Sequence, residues 1–214
     1  FLDHASNITL FGSDGDVEFS NFEDKDGQTY GAEGRYVAAG PGWKLSGWLM
    51  DVGYERREPG DAEIDIYNIG IGNYITENTT LVLNYENVGV NNGGDTDGYS
   101  WDLEHVWLLS HGAIKANASY GVVTVKERDD IDGYTVGGTW YLNNNLGFGA
   151  NYQNTSENGY EIEGYSVFSE WFINESFAVN LAYEEAQPDD IDLEGGSKLE
   201  TDISAVTLGA LVRF

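Results

Sequence analysis

From about residue 29 to its last residue the chain runs in segments of roughly ten residues, each alternating apolar and polar side chains. "TYGAEGRYVAA" sets Tyr30, Ala32, Gly34, Tyr36 and Ala38 against Glu33 and Arg35. "GWLMDVGYE" sets Trp48, Met50, Val52 and Tyr54 against Leu49, Asp51, Gly53 and Glu55. "TLVLNYEN", "YSWDLEHVWLL", "AIKANASYGVV", "YTVGGTWY", "LGFGANYQ" and "FAVNLAYE" repeat the pattern, and "VTLGALVRF" ends the chain with it. A period of two is the mark of β-strands with two different faces. With "DVEFSNF" taken as the first, about twelve such segments follow one another. "NITLFGS" is either part of that first strand or a separate N-terminal piece, and residues 1–13 carry that ambiguity. "IDIYNIGIGNY" and "EIEGYSVFSEWFI" lose phase, which points to bulges within them.

The connections alternate as the strands do. "GPG" near Pro41, "TENT", "SHG", "NNN" and "NES" are short; "EDKDGQ", "RREPGD", "NNGGDTDG", "KERDDID", "NTSENG" and "QPDDIDLEGGSK" are long and charged. Short and long in strict alternation describe an up-and-down meander whose two ends meet different surroundings, with both termini on the short-turn side. The 28 Gly and 29 aromatic residues (14 Tyr, 9 Phe, 6 Trp) suit strands and tight turns, and no stretch reaches the length of a transmembrane helix. The 214 residues make one domain.

The position of the aromatics decides what the apolar face touches. Tyr30, Tyr54, Tyr85, Tyr99, Tyr134, Tyr152 and Tyr183 fall near the long-loop ends, and Trp107, Trp140, Trp171, Phe177 and Phe214 near the short turns. Aliphatic residues lie between. Two aromatic belts around an aliphatic band are what the two membrane–water interfaces select. The other face is rich in Gly, Asn, Ser, Thr and carboxylates, which a packed core would exclude. The reading is therefore a closed antiparallel barrel, apolar side outward and polar side inward, with no strand edge exposed to lipid.

The ending "VTLGALVRF", with Leu208, Ala210 and Val212 leading to Phe214, resembles the C-terminal signature of Gram-negative outer-membrane β-barrels. That resemblance covers the whole chain, and about twelve strands is similar to the small substrate-specific porins. It implies an outer-membrane location, periplasmic short turns, extracellular long loops, contact with lipid and lipopolysaccharide, and recognition of the terminal strand by the barrel-insertion machinery. The start at "FLDHASNITLF", without Met, reads as a mature chain whose export signal has been removed.

The inward phase carries the candidate functional residues: Glu33, Arg35, Asp51, Glu55, Glu86, Asp102, Glu104, Lys115, Glu184 and Arg213, with Glu170 added from a segment of uncertain phase. Acids predominate, as in the whole chain, where 37 Asp and Glu face 10 Lys and Arg for a net charge of −27. Such a charge repels nucleic acid and draws cations. A water-filled acidic lumen would make a cation-favouring channel for small solutes. Oligogalacturonate-type small porins line theirs with bases, from which this sequence departs. The alternative is a lumen plugged by acid–base pairs, leaving a structural or adhesive barrel with acidic binding loops.

Catalysis and cofactors find little support. There is no Cys. The acidic runs at 93–98, 128–132 and 188–192 lack EF-hand spacing, so Asp129, Asp130 and Asp132 offer only a weak Ca²⁺ possibility. Of the three His, His4 is N-terminal, His111 lies in a short turn, and His105 falls on the lipid-facing phase. A hydrolase built on His105 would need a serine at the same depth, with Ser169 and Ser204 as candidates. Oligomeric state stays open, and the loop at 186–200 is the one long enough to fold into a mouth.

Overall fold

The computed structural model describes residues 6–19, 25–39, 47–59, 63–91, 95–124, 130–143, 145–157, 160–188, 191–192, 198–199 and 201–214. Its strands are β1 (Asn7–Phe19), β2 (Lys25–Ala39), β3 (Gly47–Pro59), β4 (Ile64–Thr76), β5 (Thr79–Val90), β6 (Asp95–Leu109) and β7 (Gly112–Thr124). They continue with β8 (Ile131–Tyr141), β9 (Leu146–Glu157), β10 (Tyr160–Asn174), β11 (Phe177–Pro188), β12 (Ile191–Asp192), β13 (Lys198–Leu199) and β14 (Thr201–Arg213). Twelve form a closed antiparallel barrel in which each strand pairs with its neighbours in sequence and β14 closes on β1. The short β12 and β13 pair with each other as a separate two-stranded piece between β11 and β14.

The first strand is one continuous element from Asn7, so "NITLFGS" and the beginning of "DVEFSNF" belong together. Its seam is drawn tight by Ser6, whose carbonyl accepts from Phe214 N at 2.9 Å and whose Oγ accepts from Val37 N at 3.1 Å. Pairing runs unbroken along the two segments of uncertain phase, and register shifts only at their short-turn ends, between Tyr74 and Thr76 in β4 and between Phe172 and Asn174 in β10.

Side chains that face outward are the apolar set. Leu81, Leu83, Val136 and Leu208 are 37%, 57%, 45% and 64% exposed. A wall of accessible aliphatic side chains around the whole circumference would be strongly unfavourable in water and is at home in hydrocarbon. The outward positions also carry the belt residues Tyr30, Tyr54, Tyr99, Tyr134, Tyr152, Tyr183, Trp107, Trp140, Trp171, Phe177 and Phe214, together with Tyr67 and Tyr165 of β4 and β10.

At the long-loop end the sequence misleads. Much of what looks like loop is strand: β3 runs to Pro59, β6 starts at Asp95, and β9 ends at Glu157 with β10 resuming at Tyr160. At 11 to 15 residues the barrel strands reach or exceed the upper end of the roughly 9–11 that cross a bilayer. Pairing simply continues once the outward residues become polar. There the hydroxyls of Tyr30, Tyr54, Tyr152 and Tyr183 donate to Glu58, Asp65, Glu163 and Glu185 at 3.2, 2.8, 3.0 and 3.5 Å. Each tyrosine thus keeps its ring at the belt and its hydroxyl on a carboxylate one step further out.

The short turns are made by local side-chain bonds: Asn143 Oδ1 accepts from the backbone N of Asn145 and Leu146, and Asn174 Oδ1 from Ser176 N. At Gly112, which opens β7, φ is +138° and a Cβ would meet the carbonyl of Tyr141. Gly112→Ala is therefore expected to destabilise the folded barrel by about 1–3 kcal/mol, read as a lower urea midpoint for the loss of heat-modifiable electrophoretic mobility.

Candidate functional site: the barrel lumen

Contacts between strands that are not neighbours define the inside. Arg35 on β2 reaches Glu104 on β6, Tyr141 on β8 donates to Glu170 on β10 at 2.8 Å, and Arg213 on β14 lies 4.3 Å over the Phe172 ring of β10. The paired registers then carry this phase around the barrel. Glu33, Arg35, Asp51, Glu55, Glu86, Asp102, Glu104, Lys115, Glu170, Glu184 and Arg213 all fall on it. Short of the strand tips, Arg57, which the sequence reading passed over, joins them, ion-paired with Glu55. It lies beyond the tyrosines in a stretch that reads as loop, and only the extended β3 brings it into the lumen.

The inner ionisable groups form two connected sets. In the deeper set Arg35 binds Asp51 through two bonds of 2.9 and 2.8 Å, and its other nitrogen lies 3.6 Å from Glu104. Lys115 approaches Glu104 at 3.8 Å. Asp102 accepts from Asn84, and Glu33 lies two positions along β2 from Arg35. The outer set gathers Glu55, Arg57, Glu86 and Glu184. Short of the strand tip, where Lys25 shares the phase, the inner face carries, among the described residues, eight carboxylates (Glu33, Asp51, Glu55, Glu86, Asp102, Glu104, Glu170, Glu184) against four bases (Arg35, Arg57, Lys115, Arg213).

The lumen is not polar along its whole length, and here the sequence reading needs correction. Nearest the short turns it is filled by apolar side chains. Leu49, Tyr74 and Val82 pack together with Val37, and Val106, Ala113, Tyr141, Phe172 and Ala178 pack together with Leu211. Leu49, Val82, Val106, Ala113 and Ala178 are at most 2% exposed, so water does not line the wall there. Above this belt a cavity of about 290 Å³ is lined by Arg35, Thr80, Asp102, Glu104, Lys115, Asn117, Ser119, Thr139, Asn151 and Phe168 among others.

The remaining candidates separate. His105 is outward, with Nδ1 2.7 Å from Thr79 Oγ1 and its ring 4.4 Å from that of Trp107. Ser169 and Ser204, the serines considered as its partners, sit on β10 and β14, four and six places round the wall from β6. No hydrolytic pair forms between them. Asp129 and His4 lie outside the described residues. Asp130 and Asp132 are exposed, and among the described residues no three His, Cys, Asp or Glu converge as metal ligands.

Comparison with known proteins follows the shape. No protein family and no curated protein sequence matches the chain. Solved structures do: the NanC porin superposes with a TM-score of 0.60 at 11% identity, covering 96% of this chain and 100% of that one. The KdgM porin in complex with disordered oligogalacturonate gives 0.58 at 6%, covering 96% and 99%. An outer membrane channel from Pseudomonas putida F1 gives 0.59 at 11%, covering 98% and 95%. The fold is that of an outer-membrane β-barrel. In this outer-membrane fold Leu208, Ala210, Val212 and Phe214 present their side chains outward on the strand that closes the barrel.

Proposed function

We propose that the chain resides in the outer membrane of a Gram-negative bacterium and is a channel for passive diffusion of small solutes, with a preference for cations. The observation that carries this reading is the lumen's charge: eight carboxylates against four bases inside a low-dielectric wall. Field lines confined by such a wall raise the local concentration of cations and lower that of anions. The porins and channel with the same fold support a transport role, and Glu33, Asp102, Glu86 and Glu184 are the acids that would set the sign. Lipid and lipopolysaccharide would surround the outer wall, and Phe214 with its alternating neighbours would serve the insertion machinery.

A second reading has one observation in its favour. The apolar belt at the short-turn end fills the lumen, as it would in a structural or receptor barrel that does not conduct. Reversal potential in planar bilayers under a KCl gradient separates the two. Cation preference is expected; anion preference contradicts the charge argument, and the absence of any current establishes the non-conducting reading.

A further inference from the structure

Two threonine hydroxyls lie deep in the lumen with nothing to bond. Thr80 and Thr139 are 1% and 2% exposed, and neither Oγ1 has a hydrogen-bond partner. Both line the cavity of about 290 Å³ that rests on the apolar belt. Leaving a buried hydroxyl unpaired costs about 1–3 kcal/mol, and two in one cavity indicate that something polar belongs there. The charged groups beside them are held loosely as well. Glu104 lies 3.6 Å from Arg35 and 3.8 Å from Lys115, ion-pair contacts too long to be hydrogen bonds. Glu104 and the Lys115 ammonium therefore keep their hydrogen-bonding capacity, whereas Arg35 is committed to Asp51 through two short bonds.

We propose that this cavity is a binding site for small zwitterionic solutes, molecules that carry an ammonium and a carboxylate on a short carbon frame, such as free α-amino acids. The ammonium meets Glu104, Asp102 and the hydroxyl of Thr80, which pairs in register with Glu104; the carboxylate meets Lys115 and the hydroxyl of Thr139, its register partner; and the Phe168 side chain and Val82 border the carbon frame. Local charge selects the class: the cavity presents two acids and two bases, unlike the lumen as a whole. A bare cation makes no use of Lys115 and a bare anion makes none of Asp102 and Glu104, so each forgoes half of the contacts that a zwitterion makes. The proposal rests on the channel reading for its biological sense, because the site lies where an entering solute would pause.

The test is a ligand-observed NMR titration of the full chain in detergent, with L-alanine, ethylammonium and propionate as probes. The two ions each keep one of alanine's charges. Alanine is expected to bind at least tenfold more tightly than either ion. Thr139→Val and Thr80→Val, which keep the shape and remove the hydroxyl, are each expected to weaken alanine by about five- to tenfold. Lys115→Met is expected to weaken alanine while ethylammonium, relieved of the positive charge beside Glu104, binds more tightly. Equal binding of either single-charge ion, no alanine binding, or indifference of alanine to both Thr→Val changes overturns the proposal. Binding is read without current, so a barrel that binds alanine and conducts nothing would defeat the channel and leave the site standing.

Discussion

Phe172→Ala is expected to raise single-channel conductance by roughly an order of magnitude. Phe172 and Tyr141 come from β10 and β8, with ring centroids 6.3 Å apart, and they pack with Val106, Ala113 and Ala178 where the lumen meets the short turns. An ion crossing this layer has to give up its water without gaining a polar partner, and hydrophobic constrictions close pores by that means. Removing the ring deletes the largest apolar wedge and also the surface over which Arg213 lies at 4.3 Å. Water and the Arg213 guanidinium then share the space. Loss of a buried aromatic ring costs about 3–5 kcal/mol in a core that cannot relax, so the variant is also expected to unfold at lower urea. Higher conductance with lower stability is the signature; unchanged current would place the barrier elsewhere.

Arg35→Met is expected to have the second-largest effect. Arg35 is the cation that ties opposite parts of the wall, bonded to Asp51 on the adjacent β3 and facing Glu104 on β6. Its side chain is 24% exposed and that of Asp51 18%. Breaking a buried pair from one side costs about 3–5 kcal/mol because a charge is left without a partner, and the partial exposure here puts the expected loss near the lower figure. The excess of inner carboxylates over bases rises from four (eight less four) to five (eight less three). Cation preference should therefore sharpen, with reversal potential shifting further toward the cation limit, while folding weakens. A shift toward anions would mean that Arg35 does not act through the lumen's field.

How much of this was legible in the sequence follows from range. Alternation is local, so the faces of β2, β3, β5 to β9, β11 and β14 could be read directly, and with them the wall, the belts and the direction of Asp51, Asp102 and Lys115. Tyr67 and Tyr165 were hidden because apolar residues occupy both faces of their strands: inward Ile64 and Ile66 precede outward Tyr67, Ile69 and Ile71, and inward Ile162 and Phe168 flank outward Tyr165 and Val167, although pairing is unbroken there. The extension of β3 past Tyr54, which brings in Arg57, was masked by "RREPGD", which looks like loop although Arg56 and Arg57 pair with Asp65 and Ile64, and Glu58 and Pro59 with Gln28 and Gly27.

The apolar belt was missed for a different reason. Leu49, Val82, Val106 and Leu211 each look like a lone interruption of a polar face within their own strand. Only when strands are laid side by side do they fall at one level, each within a few residues of a short turn or of the chain end. That common distance from the turns was available in the sequence as a signal. The pairing of Arg35 with Glu104, by contrast, depends on closure of the barrel, which no local pattern encodes.

The central claim is that one phase of each strand faces lipid and the other faces the lumen. The chain has no cysteine, so single cysteines can be placed along β5 and β6 and challenged in lipid vesicles with a membrane-impermeant thiol reagent. Cysteines at Asn84, Glu86 and Ser100 are predicted to react, and cysteines at Leu81, Leu83 and Leu103 to be protected. The reverse pattern, reactive at the leucine positions and silent at Asn84, Glu86 and Ser100, would contradict the account at its base.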